Sequence, residues 1–336
     1  MALRLPTAIL AIAVTLFVSG GGVPVLAREA IVRAYWVPSS SLQSPESIRR
    51  MVATAAANGF NTLFVPVLGE AAGFDPLMEA IDAARERGLR VHAWLHVNMV
   101  SNRAELQASR DAVIYQHPEW LMVPRDMAVE LQAIDVRSPE YLGRLTRWTR
   151  ANADRVDGLY LSPLHEGAQA FVAAMVADLV KRYAIDGIHL DDLRFPATDF
   201  DYSRGALEAF RAHVREGVSA AELAKLDAVM AIDPFAYPEL RAEEWRLFRQ
   251  TRLTALVTRL RSTARAIRPD VYVSASVDSD VVTAARESFQ DWRTWVDNGF
   301  VDALCAIGTG SEAAGSAARL AEVRALAGSR PVWVRD

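Results

Sequence analysis

Two adjacent carboxylates, Asp191 and Asp192, end the apolar run Gly187–Leu190 in a chain of 336 residues. They stand where a strand gives way to a loop carrying Arg194 and ending at Pro196. In a parallel α/β protein, the carboxyl ends of the strands are where ligands bind and chemistry happens. Paired carboxyls suit acid–base work, because one can hold a proton while the other stays ionised. Asp191 shares strand parity with Gly187 and His189 and is the first candidate catalytic residue. Asp192 has the opposite parity and reads as a rim or loop-capping residue. Asp278 closes a later strand on its polar parity and is the expected second catalytic carboxyl. Asp280, Glu70, Glu119 and Glu166 lie in competing positions, and Asp291 reads as the N-cap of the helical segment beginning Trp292.

Histidines raise a competing metal chemistry. His92, His96, His189, Asp191 and Asp278 could converge in one interior, and imidazoles with a carboxylate suit zinc. No His-x-x-x-His lies on a helix, and a lone strand histidine is usually a hydrogen-bonded core group, so the expected site uses no metal and no other cofactor.

The elements that position these residues alternate. Ile31–Val37, Asn61–Val67, Leu89–Val97, Gly187–Asp191, Val271–Val277, Val301–Ile307 and Pro331–Arg335 read as strands, with a further short one at Gly158–Leu161. Helical patterns fall at Pro45–Ala57 (Ser44 as N-cap), Asp75–Arg87, Gly167–Tyr183 and Glu243–Ile267. Strand–helix alternation implies a parallel sheet. His92, Trp94, His96 and Asn98 share one face of their strand, as Tyr272, Ser274, Ser276 and Asp278 do of theirs, while the opposite faces are apolar. Helices cover apolar faces, so the polar faces must look into a common interior. That pattern predicts a (β/α)₈ TIM-type barrel lacking its eighth strand and helix within this sequence. No G-x-G-x-x-G follows the first strand, which argues against a Rossmann fold. Two insertions, 99–164 and 197–241, are expected to form lids or walls.

Composition is that of a packed globular protein, 51% hydrophobic and 23% charged, with a net charge of −4 that offers nucleic acid no basic field. Cys305 is the only cysteine, which excludes an internal disulfide and a Cys-rich zinc site. At the N-terminus, Arg4, the apolar run Ala8–Val18 and the close of Val25-Leu26-Ala27 read as a cleavable signal peptide, residues 1–27, cut after Ala27. The apolar run is shorter than the about 20 residues that span a bilayer. The expectation is a secreted or periplasmic domain over 28–336 without a stable membrane anchor.

The run D-G-I-H-L-D-D-L-R-F-P at Asp186–Pro196 resembles a strand signature of the glycosyl hydrolase-like 10 proteins. G-F-N-T-L-F-V at Gly59–Val65, G-L-R-V-H-A-W at Gly88–Trp94, H-P-E-W-L-M-V-P-R at His117–Arg125, L-Y-L-S-P at Leu159–Pro163 and Q-D-W-R-T-W at Gln290–Trp295 follow the same pattern in order. The resemblance covers essentially all of 31–334. It implies a barrel hydrolase acting on polysaccharide, with peptidoglycan glycan as one known type of substrate. Asp191 matches the family position that is most nearly fixed, whereas tyrosine is frequent at the position of Asp192. For such an enzyme His96, Asn98 and His189 would bind sugar hydroxyls, Trp120 and Tyr202 would stack on sugar rings, and Arg194 would anchor its loop or meet a substrate anion. Trp94 is either interior packing or a stacking platform. The segments Pro66–Gly73 and Ala306–Gly310 depart from the family's loops after the second and sixth barrel strands, and no glycine-rich loop follows the seventh. A carbohydrate-binding barrel without activity is the competing expectation, and a metal-dependent hydrolase the third.

Overall fold

The computed structural model describes residues 32–68, 73–102, 106, 109–307 and 313–335. The expected signal peptide and Glu70 lie outside these residues. The strands are β1 (Ala34–Trp36), β2 (Thr62–Pro66), β3 (Arg90–His96), β4 (Met99–Asn102), β5 (Gly158–Tyr160), β6 (Gly187–Asp191), β7 (Tyr272–Asp278), β8 (Ala303–Ile307) and β9 (Val332–Val334). Seven of them form one sheet in the order β1-β2-β3-β6-β7-β8-β9, with every neighbouring pair parallel. Strand order that follows chain order, with a helix over most crossovers, is the winding of a barrel rather than of a doubly wound sheet.

The sheet curls into a half-barrel, and among the described residues β1 and β9 do not pair. Side chains bridge what the backbone leaves open. Trp333 on β9 brings its ring within 5.5 Å of Phe64 on β2, and the Arg335 guanidinium lies 5.6 Å from the Trp36 ring on β1. On the convex face, Leu63, Val65, Val91, Ala93, Leu95, Ile188, Leu190, Val273, Ala275 and Val277 are all buried against helices. Each large aliphatic shut away in this manner stabilises the fold by roughly 1.5–3 kcal/mol.

Local chemistry sets the covering helices. Ser44 and Ser47 form a reciprocal capping box at Pro45–Ala57. Asp75 accepts from the N–H groups of Leu77 and Met78 at the head of Pro76–Arg85. Helices Glu166–Arg182 and Ala242–Ile267 pack together outside β6 and β7. Asp291 caps Trp292–Asp297 by accepting from Thr294 N–H, the role its sequence position suggested.

The two insertions are more regular than loops. The first holds helices Val113–Gln116, Arg125–Gln132 and Pro139–Ala151 between the antiparallel strands β4 and β5. The second holds helices Arg204–Gly217, Ala220–Met230 and Ala236–Leu240. Ser138, Ser203 and Ser219 cap three of them with their side chains.

Candidate active site

The sheet register stacks the interior in levels. Trp94, His189 and Ser274 stand side by side at one level. One residue pair further, His96 lies beside Asp191, which meets the Ser276 hydroxyl on β7. Asp278 is two residues beyond Ser276 on the same face. With a strand spacing of about 4.8 Å and a rise of about 3.3 Å per residue, the Asp191 and Asp278 Cα atoms are about 8 Å apart.

Asp191 is only 4% exposed, and every contact it makes suits an anion. Its Oδ2 accepts from Trp94 Nε1 at 2.8 Å and from Arg335 Nη1 at 3.1 Å, while Oδ1 accepts from the Asp192 N–H at 3.0 Å. Burial alone would raise its pKa. His189, the Ser276 hydroxyl, Arg335 and Trp94 outweigh burial and hold it below the usual carboxylate value. Burial pushes His189 down to about 4, so at neutral pH this ring is uncharged and the stabilisation of the carboxylate falls to the other three. Arg335 is itself held between the Trp36 and Trp94 rings, 5.6 and 5.1 Å from their centroids.

Parity alone does not place the Asp192 side chain. Its φ is +52°, so the strand's alternation ends at Asp191 and the Asp192 side chain swings back toward the mouth. There Asp192 Oδ2 sits 2.5 Å from His96 Nδ1, with Asp192 12% and His96 39% exposed. Burial lowers the His96 pKa, but bonding to Asp192 and the charge of Asp191 more than reverse this, so the ring tends toward its protonated form. Asp192 therefore stands at the mouth beside His96, with Asp191 buried beneath it.

Asp278 differs in kind. It is half-buried, its N–H donates to Gln290 Oε1 at 3.0 Å, and Oδ1 accepts from the Asp280 N–H at 2.9 Å. Burial, reinforced by the charge of Asp280 and only partly offset by that hydrogen bond, raises its pKa. Asp280 is occupied as the N-cap of Val281–Arg286.

Of the residues expected to touch sugar, His96 presents a polar edge at the mouth. His189 does not: it is fully buried, with Nδ1 and Nε2 each 2.9 Å from the hydroxyls of Ser274 and Ser276. Asn98 is likewise enclosed and donates to the Leu161 carbonyl, fastening β3 to the first insertion. Arg194 pairs with Asp157 at 2.7 Å and Tyr160 Oη at 3.0 Å, which anchors its loop to β5. Trp120 is stacked on His117 at 3.7 Å and packed against Gly167, and Tyr202 is buried edge-on to Phe235 and Trp245. Both aromatics are packed against protein by the insertions, although Trp120 stays partly exposed and Tyr202 also lines a cavity of about 450 Å³. His92 lies two residues below Trp94's level along β3, with burial driving its pKa down to about 3. Among the described residues no three His, Cys, Asp or Glu side chains are grouped to hold a metal ion. Arg335 was not singled out from sequence, and Ser274 and Ser276 were read only as members of the polar face that carries Asp278. Their signal was the interior parity of β7 and β9, which places Ser274 and Ser276 with Asp278, and Arg335 with Trp333.

Among the described residues no helix is long and apolar enough to cross a membrane. A family profile described as glycosyl hydrolase-like 10 matches residues 54–325. Glycosyl hydrolase DigH of Escherichia coli K12 is 26% identical over 260 residues, which is 72% of this chain and 48% of that protein. Glycosyl hydrolase YngK of Bacillus subtilis strain 168 is 26% identical over 132 residues, 39% of this chain and 20% of that protein. The chain thus spans about half the length of the DigH relatives it matches. Among solved structures, the glycoside hydrolase domain of PgaB (BpsB) from Bordetella bronchiseptica superposes with a TM-score of 0.55 at 14% identity, covering 91% of this chain and 84% of that domain. A β-galactosidase from Bacillus circulans gives 0.55 at 12% identity over 88% of this chain and 43% of its own. At such identities the likeness is one of fold.

Proposed function

The chain belongs to the glycosyl hydrolase-like 10 family, and from that premise we propose that it is an exported hydrolase of O-glycosidic bonds in a polysaccharide, worked by Asp191 and Asp278. One observation carries the reading. Two carboxyls on one face of neighbouring strands have pKa values displaced in opposite directions, Asp191 downward and Asp278 upward. Opposed displacement in two carboxyls that share one interior is what an acid and a base call for. On this reading Asp278 gives a proton to the leaving oxygen, and Asp191 attacks the sugar carbon or stabilises positive charge on the ring. Their Cα separation of about 8 Å lets the carboxyl groups meet the spans of about 5–5.5 Å or 6.5–9.5 Å that glycosidases use. His96, with Asp192 behind it, supplies a ring donor for a hydroxyl at the mouth. Asn98, His189, Arg194, Trp120 and Tyr202 take no direct part in this reading; they hold the elements that carry the acids.

Export is proposed from the N-terminal apolar run Ala8–Val18, and a mature protein starting at Arg28 in N-terminal sequencing would bear it out. The hydrolase reading is tested by incubating the protein with peptidoglycan glycan strands and aryl glycosides and counting new reducing ends. Product should form, resist chelator and vanish in Asp191→Asn. A second reading, a glycan-binding barrel without turnover, is favoured by the hold of Trp94 and Arg335 on the same Asp191 oxygen. Glycan binding without new reducing ends would select it.

A further inference from the structure

Gln290 lies between helices Val281–Arg286 and Trp292–Asp297, in the segment that follows β7. It is 2% exposed, and its amide is bonded at both ends. Nε2 donates to the Leu193 carbonyl at 3.0 Å and more weakly to the Ser276 carbonyl at 3.4 Å, while Oε1 accepts from the Asp278 N–H at 3.0 Å. All three partners are backbone groups, so their polarity fixes which end of the amide is oxygen. Leu193 is two residues past Asp191, and Ser276 and Asp278 belong to β7. One buried side chain ties the loop behind the first acid to the strand end that carries the second.

The tie comes where the sheet gives out. Pairing of β6 with β7 ends at Leu190 opposite Ala275, one residue before Asp191 and three before Asp278. Tyr272 N–H donates to the Asp186 carbonyl, and every second N–H of β7 faces β6. Continued, that alternation would bring the Asp278 N–H to a β6 carbonyl at position 192, but the chain has turned away there with a φ of +52°. Gln290 Oε1 takes the place of that carbonyl.

Gln290 is itself held firmly. Its N–H donates to the Ala284 carbonyl at 2.7 Å, and the Phe195 N–H donates to the Ser288 carbonyl at 3.2 Å. Between them Phe289 has a φ of +57°, a left-handed backbone that a bulky residue keeps only where its surroundings enforce it. Its buried ring lies edge-on to Phe195 at 5.1 Å, with the Arg249 guanidinium 4.0 Å from its centroid.

We propose that Gln290 is a positioning residue whose amide sets the distance between the Asp191 and Asp278 carboxyls. Glutamate has the same length but would turn a second oxygen toward two carbonyls, and asparagine is one methylene too short to span the gap. The two carboxyl spans that glycosidases use differ by as little as about 1 Å. A misplacement of about 1 Å can cost about 10²-fold in rate. This role rests on the reading above that Asp191 and Asp278 are the working pair.

Gln290→Asn and Gln290→Met in the intact protein, checked for folding by circular dichroism, test it. On a glycan that the unaltered protein cleaves, both should lower kcat by about 10- to 100-fold with KM held within about threefold, because no substrate contact is removed. Carboxyl-carbon NMR should find the Asp278 titration displaced, while that of Asp191, held by Trp94 and Arg335, stays. A merely packing role would lower the melting temperature and leave kcat per folded molecule and the Asp278 titration as they were; that result overturns the proposal. If the unaltered protein releases no reducing ends from glycan, the hydrolase reading falls and the titration alone decides: displaced in both variants, the clamp stands; unmoved, it falls. Should neither variant fold, hydrogen exchange on the unaltered protein decides. An Asp278 N–H as protected as that of Val277, which is paired with β8, supports the clamp, and one exchanging about 10²-fold faster or more overturns it.

Discussion

Asp191 and Asp201 stand ten positions apart, both shut from water, yet the two carboxyls are held by opposite means. Asp191 faces the barrel interior and is gripped by side chains, one of them the Arg335 cation. Asp201 lies in the second insertion and accepts from the N–H groups of Val123 and Ser203 at 2.8 Å and from the Ser203 hydroxyl at 3.0 Å, with Ser162 adding another hydroxyl. Neutral donors do not overcome complete burial, so the Asp201 pKa is raised, whereas that of Asp191 is lowered. A raised pKa is therefore no mark of a catalytic acid by itself. Asp278 shares the upward displacement but is half-open toward the mouth, which is what a proton donor requires. Asp201 instead ties the first insertion to the second.

That contrast is broken most directly at Asp191. Asp191→Asn should cut turnover by about 10²–10⁴-fold, the range of positioned acid–base groups, while the melting temperature moves by a few degrees at most. Turnover surviving at a tenth of the original or more would remove Asp191 from the chemistry. Asp201→Ala should behave the other way round. It strands buried N–H and hydroxyl donors at about 1–3 kcal/mol each, so urea unfolding should reveal a loss of roughly 3–5 kcal/mol. Activity per folded molecule should be retained, and a variant that is stable but inactive would contradict the structural role given to Asp201.

Asp278 sharpens the comparison further. Because its acid form is the working one, turnover should fall as pH rises through its raised pKa, and Asp278→Asn should abolish that alkaline limb. The loss should reach about 10²-fold on glycans and be smaller on aryl glycosides whose leaving groups need no proton. A pH profile unchanged by the substitution would assign the proton to another group.

Strand parity made the barrel and the Asp191 face legible in sequence, because alternation along β3, β6 and β7 is a backbone property that packing did not override. It could not direct the Asp192 side chain one residue later, because a positive φ is a local backbone choice that parity does not encode. The surroundings of Trp120 and Tyr202 were hidden for another reason. An aromatic in an insertion reads as exposed until partners such as His117, Phe235 and Trp245 are known to close on it. Arg335 was hidden because its contact with Asp191 spans 144 positions and depends on how far the sheet curls.

The smallest expected effect is on the pH dependence of stability, where the two buried acids should pull in opposite directions. Asp191 has a folded pKa below its unfolded value, so its contribution is present above the unfolded pKa and is lost as pH falls through the folded one. Asp201 has a raised folded pKa, so its contribution is present below the unfolded value and is lost as pH rises through the folded one. In acid, Asp191→Asn should therefore flatten the decline in melting temperature, since the variant has no carboxylate there to protonate. Asp201→Asn should leave that acid decline in place and instead remove a decline that sets in as pH climbs past the unfolded carboxylate value and is complete once pH passes the raised pKa of Asp201. Melting curves collected across the acid and neutral range on both variants separate these slopes. If the two substitutions altered the same limb, the division between a cation-held carboxylate and one held by neutral donors would not govern how this protein tolerates its buried acids.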